Sequence, residues 1–78
     1  MYTYEKIVSL GDSELRKICK SRDSAMPLID AIISLQESYA KNPQAPPGQM
    51  LVSDKPKFAA ISEKMNKIKK YAKEEGWG

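Results

Sequence analysis

Apolar positions recur along the chain at helical spacing, and they predict where the helices lie. The clearest stretch is the last. Phe58, Ile61, Met65, Ile68 and Ala72 follow an unbroken 3-4-3-4 spacing, one stripe of a helix over about residues 55–75. Ser53 or Asp54 is placed to cap it, Pro56 falls in its first turn, and Gly76 stands where a helix stops. Trp77 lies just beyond that stop, where it can fold back on the last turn.

A second stretch runs over about residues 25–41, with Ser24 as its cap and Pro27 in the first turn. Leu28, Ile32, Leu35 and Tyr39 form its stripe, and Ile29 and Ile33 widen it toward the ~100° arc of a core-facing helix. A shorter helix is expected over about residues 13–22. Asp12 is its cap, Leu15, Ile18 and Cys19 are its apolar face, and Lys17, Lys20 and Arg22 complement the negative end of its dipole. Tyr4, Ile7, Val8 and Gly11 continue that stripe backwards, with Thr3 as a cap. Residues 3–10 therefore read as a short helix broken near Gly11, or else as a short N-terminal strand.

Residues 42–54 join the last two helices. Pro43, Pro46, Pro47 and Gly48 stop the preceding helix, and Met50-Leu51-Val52 is a small apolar patch within the connection. Its Pro43-Gln44-Ala45-Pro46-Pro47 run has a PxxP spacing but lacks the flanking basic residue common in polyproline ligands, so it reads as a rigid connector. The expectation is an all-α fold, a small three- to four-helix bundle over residues 1–78 as one domain, with a Pro-rich connection before the last helix.

Composition sharpens this in two ways. With 78 residues the core is thin, and small domains often add a disulfide, a metal or a partner chain. One cysteine and no histidine offer neither an internal disulfide nor the usual zinc ligands, so packing, self-association or a partner remain. No cofactor is expected, since the glycines at 11, 48, 76 and 78 are too scattered for a phosphate-binding loop. The chain has no apolar run long enough to span a membrane and no basic-then-apolar leader, so a cytoplasmic protein is expected.

Charge is uneven. Residues 1–53 hold six basic and six acidic groups, whereas residues 54–78 hold seven lysines against four acids, so the whole net +3 lies in the last third. Lys64, Lys67, Lys69, Lys70 and Lys73 are expected away from the apolar stripe, with Tyr71 among them.

Catalysis is not expected. No histidine is available for acid–base work, and Cys19 has only Lys17 and Lys20 nearby, so it reads as a packed thiol. A helix-turn-helix reading of the middle helices fails because the second begins Ala25-Met26-Pro27-Leu28-Ile29, a core sequence rather than a base-reading one. The stripe of the last helix suits packing inside the chain, and its 3-4 spacing also suits a homotypic or partner-helix contact.

In its general helix pattern and its Gly76-Trp77-Gly78 ending, the chain resembles bacteriocin immunity proteins. The resemblance implies an inhibitor or immunity-type factor and carries no individual residue over; small phage-encoded inhibitors share the size alone. The functional expectation is a non-enzymatic protein–protein interaction module of bacterial or phage origin. Its candidate contact residues are Met50, Leu51, Lys64, Lys67, Lys70, Tyr71, Lys73 and Trp77. A protein partner, with an acidic surface suited to the lysines, is the first expectation, and a homo-oligomer is open. The alternative is a small basic nucleic-acid-binding protein that uses the lysines of the last helix.

Overall fold

The computed structural model describes residues 2–45 and 49–77. The Pro46-Pro47 half of the PxxP run, Gly48, and Gly78 of the tail lie outside the described residues. The described residues form four helices: α1 (Tyr4–Ser9), α2 (Asp12–Ile18), α3 (Arg22–Ala40) and α4 (Asp54–Glu75). This is a small all-α bundle, and the N-terminal segment is helix rather than strand. No helix among the described residues is long and apolar enough to cross a membrane.

Local chemistry sets the ends of each helix. The Thr3 hydroxyl accepts from Lys6 N at 3.2 Å and caps α1. Gly11 precedes α2, and its N–H donates back to the Glu14 carboxylate at 3.3 Å. Helix α2 ends at Ile18, short of the expected Arg22, and α3 begins at Arg22, ahead of the expected Ala25. The reason is a serine pair. Ser21 caps α3 by accepting from Ser24 N at 3.2 Å, while the Ser24 hydroxyl lies 2.6 Å from the Ile18 carbonyl to which it donates. That bond satisfies one of the carbonyls left open where α2 stops. Pro27 consequently falls in the second turn of α3, on its exposed side, where the carbonyl that loses its partner can meet water.

Ser53 stands before α4 without a side-chain cap, and the Leu51 carbonyl instead accepts from Asp54 N at 2.9 Å and Lys55 N at 3.2 Å. At the other end, Gly76 adopts φ +67°, ψ +47°. Gly76 N then reaches Lys73 O at 3.3 Å and Trp77 N reaches Ala72 O at 3.2 Å, the paired bonds of a Schellman stop.

Helices α3 and α4 run antiparallel. Asn42, just past the end of α3, donates to Asp54 at the start of α4, and Gln36 Nε2 donates to Ser62 Oγ at 3.0 Å midway along. Helix α1 packs across both of them and α2 packs on α4. Between these elements lie Ile7, Leu10, Leu15, Cys19, Ala25, Leu28, Ile32, Ile61, Ile68 and Tyr71, so every helix contributes to one core. The stripe of α4 is used inside the chain: Ile61 and Ile68 are fully enclosed.

A core this small has little redundancy. Ile68→Ala removes a branched side chain that is 1% exposed, and is expected to destabilise the fold by about 2–5 kcal/mol. Urea titration followed by helical circular dichroism should show the midpoint falling with an unchanged slope. A loss below about 1 kcal/mol would contradict this packing.

Candidate functional site

Helix α3 carries more apolar surface than the α1–α2 side of the bundle covers. Leu28 and Ile32 point into the core, but Ile29 and Ile33 sit ~100° further round the helix and turn toward the flank of α4. From the opposite side α4 presents Ser62, Met65, Asn66, Lys69 and Ala72. The result is an open groove of about 530 Å³ between the two long helices, with Trp77 beside Ala72 at one end. No residue of α1 or α2 lines it. Ile33 is 42% exposed there.

Trp77 is fixed where it stands. The Schellman stop turns it back along α4, and its indole Nε1 donates to the Cys19 carbonyl at 3.0 Å. The tail is thereby tied to the end of α2 while one part of the ring still lines the groove. Cys19 itself is fully enclosed, and burial pushes its thiol pKa up, so the sulfur is a packed, protonated group rather than a nucleophile. Among the described residues no cluster of three His, Cys, Asp or Glu side chains lies close enough to hold a metal ion.

The candidate contact residues of the last third do not form one surface. Met50 and Leu51 are half-buried at the start of α4, where Met50 lines a separate hollow of about 480 Å³ with Ala40, Gln49, Lys55 and Phe58. Trp77 lies at the far end of a helix of 22 residues, ~33 Å away along its axis. Lys64 faces inward and donates from Nζ to the Leu10 carbonyl at 2.8 Å. Lys67 bonds Asp12 at 2.9 Å. Lys70 and Lys73 are exposed. Tyr71, expected among the outer lysines, is instead 5% exposed in the core edge. The Arg16 guanidinium lies 4.5 Å from its ring centre, and Arg16 also reaches Glu74 at 3.4 Å. Three α4 side chains expected on a binding face, Lys64, Lys67 and Tyr71, therefore hold α1 and α2 against α4.

The residues that line the groove, Ile29, Ile33, Met65 and Lys69, were assigned by sequence to core stripes or to a solvated lysine face. The width of the α3 apolar arc was the available signal. Comparison with protein-family models, curated proteins and solved structures finds no match to this chain.

The Lys67 ammonium, through its hydrogen bond and its charge, holds the Asp12 carboxyl below its ordinary pKa, and Asp12 holds Lys67 above its own. A lowered carboxyl pKa stabilises the fold above the ordinary carboxylate range, and that contribution disappears as pH falls through the lowered value. Lys67→Met should therefore raise the Asp12 titration midpoint toward normal when it is followed by carboxyl carbon NMR, and an unmoved midpoint would dismiss the contact. Trp77→Phe keeps the ring and removes the donor to Cys19. It should lower stability by about 1 kcal/mol in urea titration, whereas no change would show that the indole bond does not hold the tail.

Proposed function

We propose that this chain is a protein-interaction module whose binding face is the uncovered side of the α3–α4 pair. One observation carries the reading: the groove places Ile29, Ile33, Met65 and Trp77 at the surface together, with no element of the described chain over them. An aromatic ring held in place by a hydrogen bond and flanked by aliphatic side chains is the kind of anchor that dominates protein interfaces. Lys69 and Lys73 lie along the α4 border of the face and suit the role of rim charges that steer an approaching partner. A module of this kind acts by occupying a partner's surface, as an inhibitor or immunity-type factor does.

The lysines of α4 support nucleic-acid binding less well. Of the five from Lys64 to Lys73, two direct their ammonium groups to Leu10 and Asp12, and the remaining three leave only a short exposed basic strip. Phosphate-tracking surfaces depend on several free cations acting together.

Ile33→Asp tests the reading. Ile33 is outside the enclosed core, so the variant should keep its helical circular dichroism while losing capture of protein partners in a pull-down with the full chain as bait. Lys69→Ala with Lys73→Ala should weaken capture by only a few-fold, and mainly at low salt. Capture that survives Ile33→Asp, or a DNA or RNA mobility shift abolished by the lysine pair, would overturn the assignment.

A further inference from the structure

We infer that the α3–α4 face is closed in solution by a second copy of this chain, related to the first by a two-fold axis parallel to the two helices. The inference rests on the reading of this face as the binding face and names what occupies it.

The argument is one of charge and register. On α3, Asp23, Asp30 and Glu37 recur every seven residues, a single acidic line along the exposed crest that separates this face from a second hollow lined by Tyr2, Pro27, Asp30 and Leu35. On α4, the exposed lysines bordering the same face are Lys69 and Lys73. The face is therefore acidic along one long edge, basic along the other and apolar between. A partner that complements it needs the same two edges exchanged, and a copy of the face turned over about an axis along the helices supplies them. An axis across the helices would instead set the acidic crest against itself, which like charges oppose.

The register fits as well. The Gln36–Ser62 bond fixes which residues of the antiparallel pair stand level. Counting back along α3 and forward along α4 from that bond brings Asp30 level with the Ile68–Lys69 turn and Asp23 within one turn of Lys73. Rotation about an axis parallel to the helices leaves each residue at its own level. It sets Asp30 opposite the second copy's Lys69 and Asp23 opposite the second copy's Lys73, and the symmetry repeats both pairs. At the other end Lys41 comes level with Lys57, whose ammonium is turned to the Tyr4 ring on the α1 side, and Glu37 comes level with Ile61, so this end adds no charge pair.

Size sets the strength. Helix α3 has 19 residues, so the two-helix face measures ~28 by ~20 Å. Its flat footprint of ~560 Å² lies just below the ~600 Å² per partner at the lower end of specific interfaces. The dimer should accordingly dissociate on dilution.

Sedimentation of the full chain from low to high micromolar concentration should show mass rising from 8.8 kDa toward twice that value. Asp30→Lys and Lys69→Asp should each weaken dimerisation about ten-fold or more, and the two together should restore it, because each reversed charge again meets its opposite. Ile33→Asp should leave a monomer. A wild-type chain that stays monomeric throughout overturns the second copy while leaving the face itself to be judged by partner capture. A dimer indifferent to all these changes overturns the face and the second copy together. Should a reversed charge unfold the chain, Asp30→Asn and Lys69→Gln read the same contact, and a dimer unmoved by both is equally fatal to the proposal.

Discussion

Two helices of 19 and 22 residues present two broad faces, and the two remaining helices, of 6 and 7 residues, can cover only one of them. Much of the structure follows from that imbalance. The covered side becomes the core, where Ile7 from α1 and Leu15 from α2 meet Leu28, Ile32, Ile61 and Ile68. The uncovered side keeps Ile29, Ile33 and Met65 in a groove. A domain of this size buries only about 60% of the surface its unfolded form exposes.

Such short helices do not persist alone, since an isolated helix below ~12 residues is marginal in water. Here polar side chains of α4 tie them down. Lys64 reaches the Leu10 carbonyl between α1 and α2, Lys67 reaches Asp12 at the start of α2, and Tyr71 and Glu74 share Arg16. Each exposed pair adds little by itself. Their positions matter more, because together they run along the same side of α4 and fix how α2 lies on it. Trp77 completes the line by donating to Cys19 at the end of α2.

The order of the elements and the helical type of the three longer ones were legible in the sequence because periodicity and capping residues agree, whereas residues 3–10 read as a short helix or else a strand until the structure showed α1. The seam through Phe58, Ile61, Met65, Ile68 and Ala72 marks α4, and Gly76 marks its end, where a left-handed residue is in fact required. The α2–α3 junction was less legible. Both Ser21 and Ser24 are good caps, and only the bond from Ser24 back to Ile18 decides that Ser21 takes the role. The roles of the lysines were least legible. Spacing shows that Lys64 and Lys67 lie off the apolar stripe, but a lysine stem spans the distance to a neighbouring element, and only the packing of α1 and α2 reveals what its ammonium meets.

The same limit explains why the groove was hidden. An apolar arc that is too wide for one neighbour looks in sequence like an arc that serves two. Ile29 and Ile33 extend the stripe of α3 whether the second neighbour is another helix of the chain or a separate molecule, and hydropathy does not distinguish these cases. The charges beside the arc add one further signal, because an acidic line on α3 and a basic edge on α4 stand level across the groove. In this chain the acidic line at Asp23, Asp30 and Glu37 and the basic edge at Lys69 and Lys73 run on either side of the apolar groove between α3 and α4. The arrangement of charges around the strip, rather than the strip alone, is what the proposed pairing with a second copy rests on.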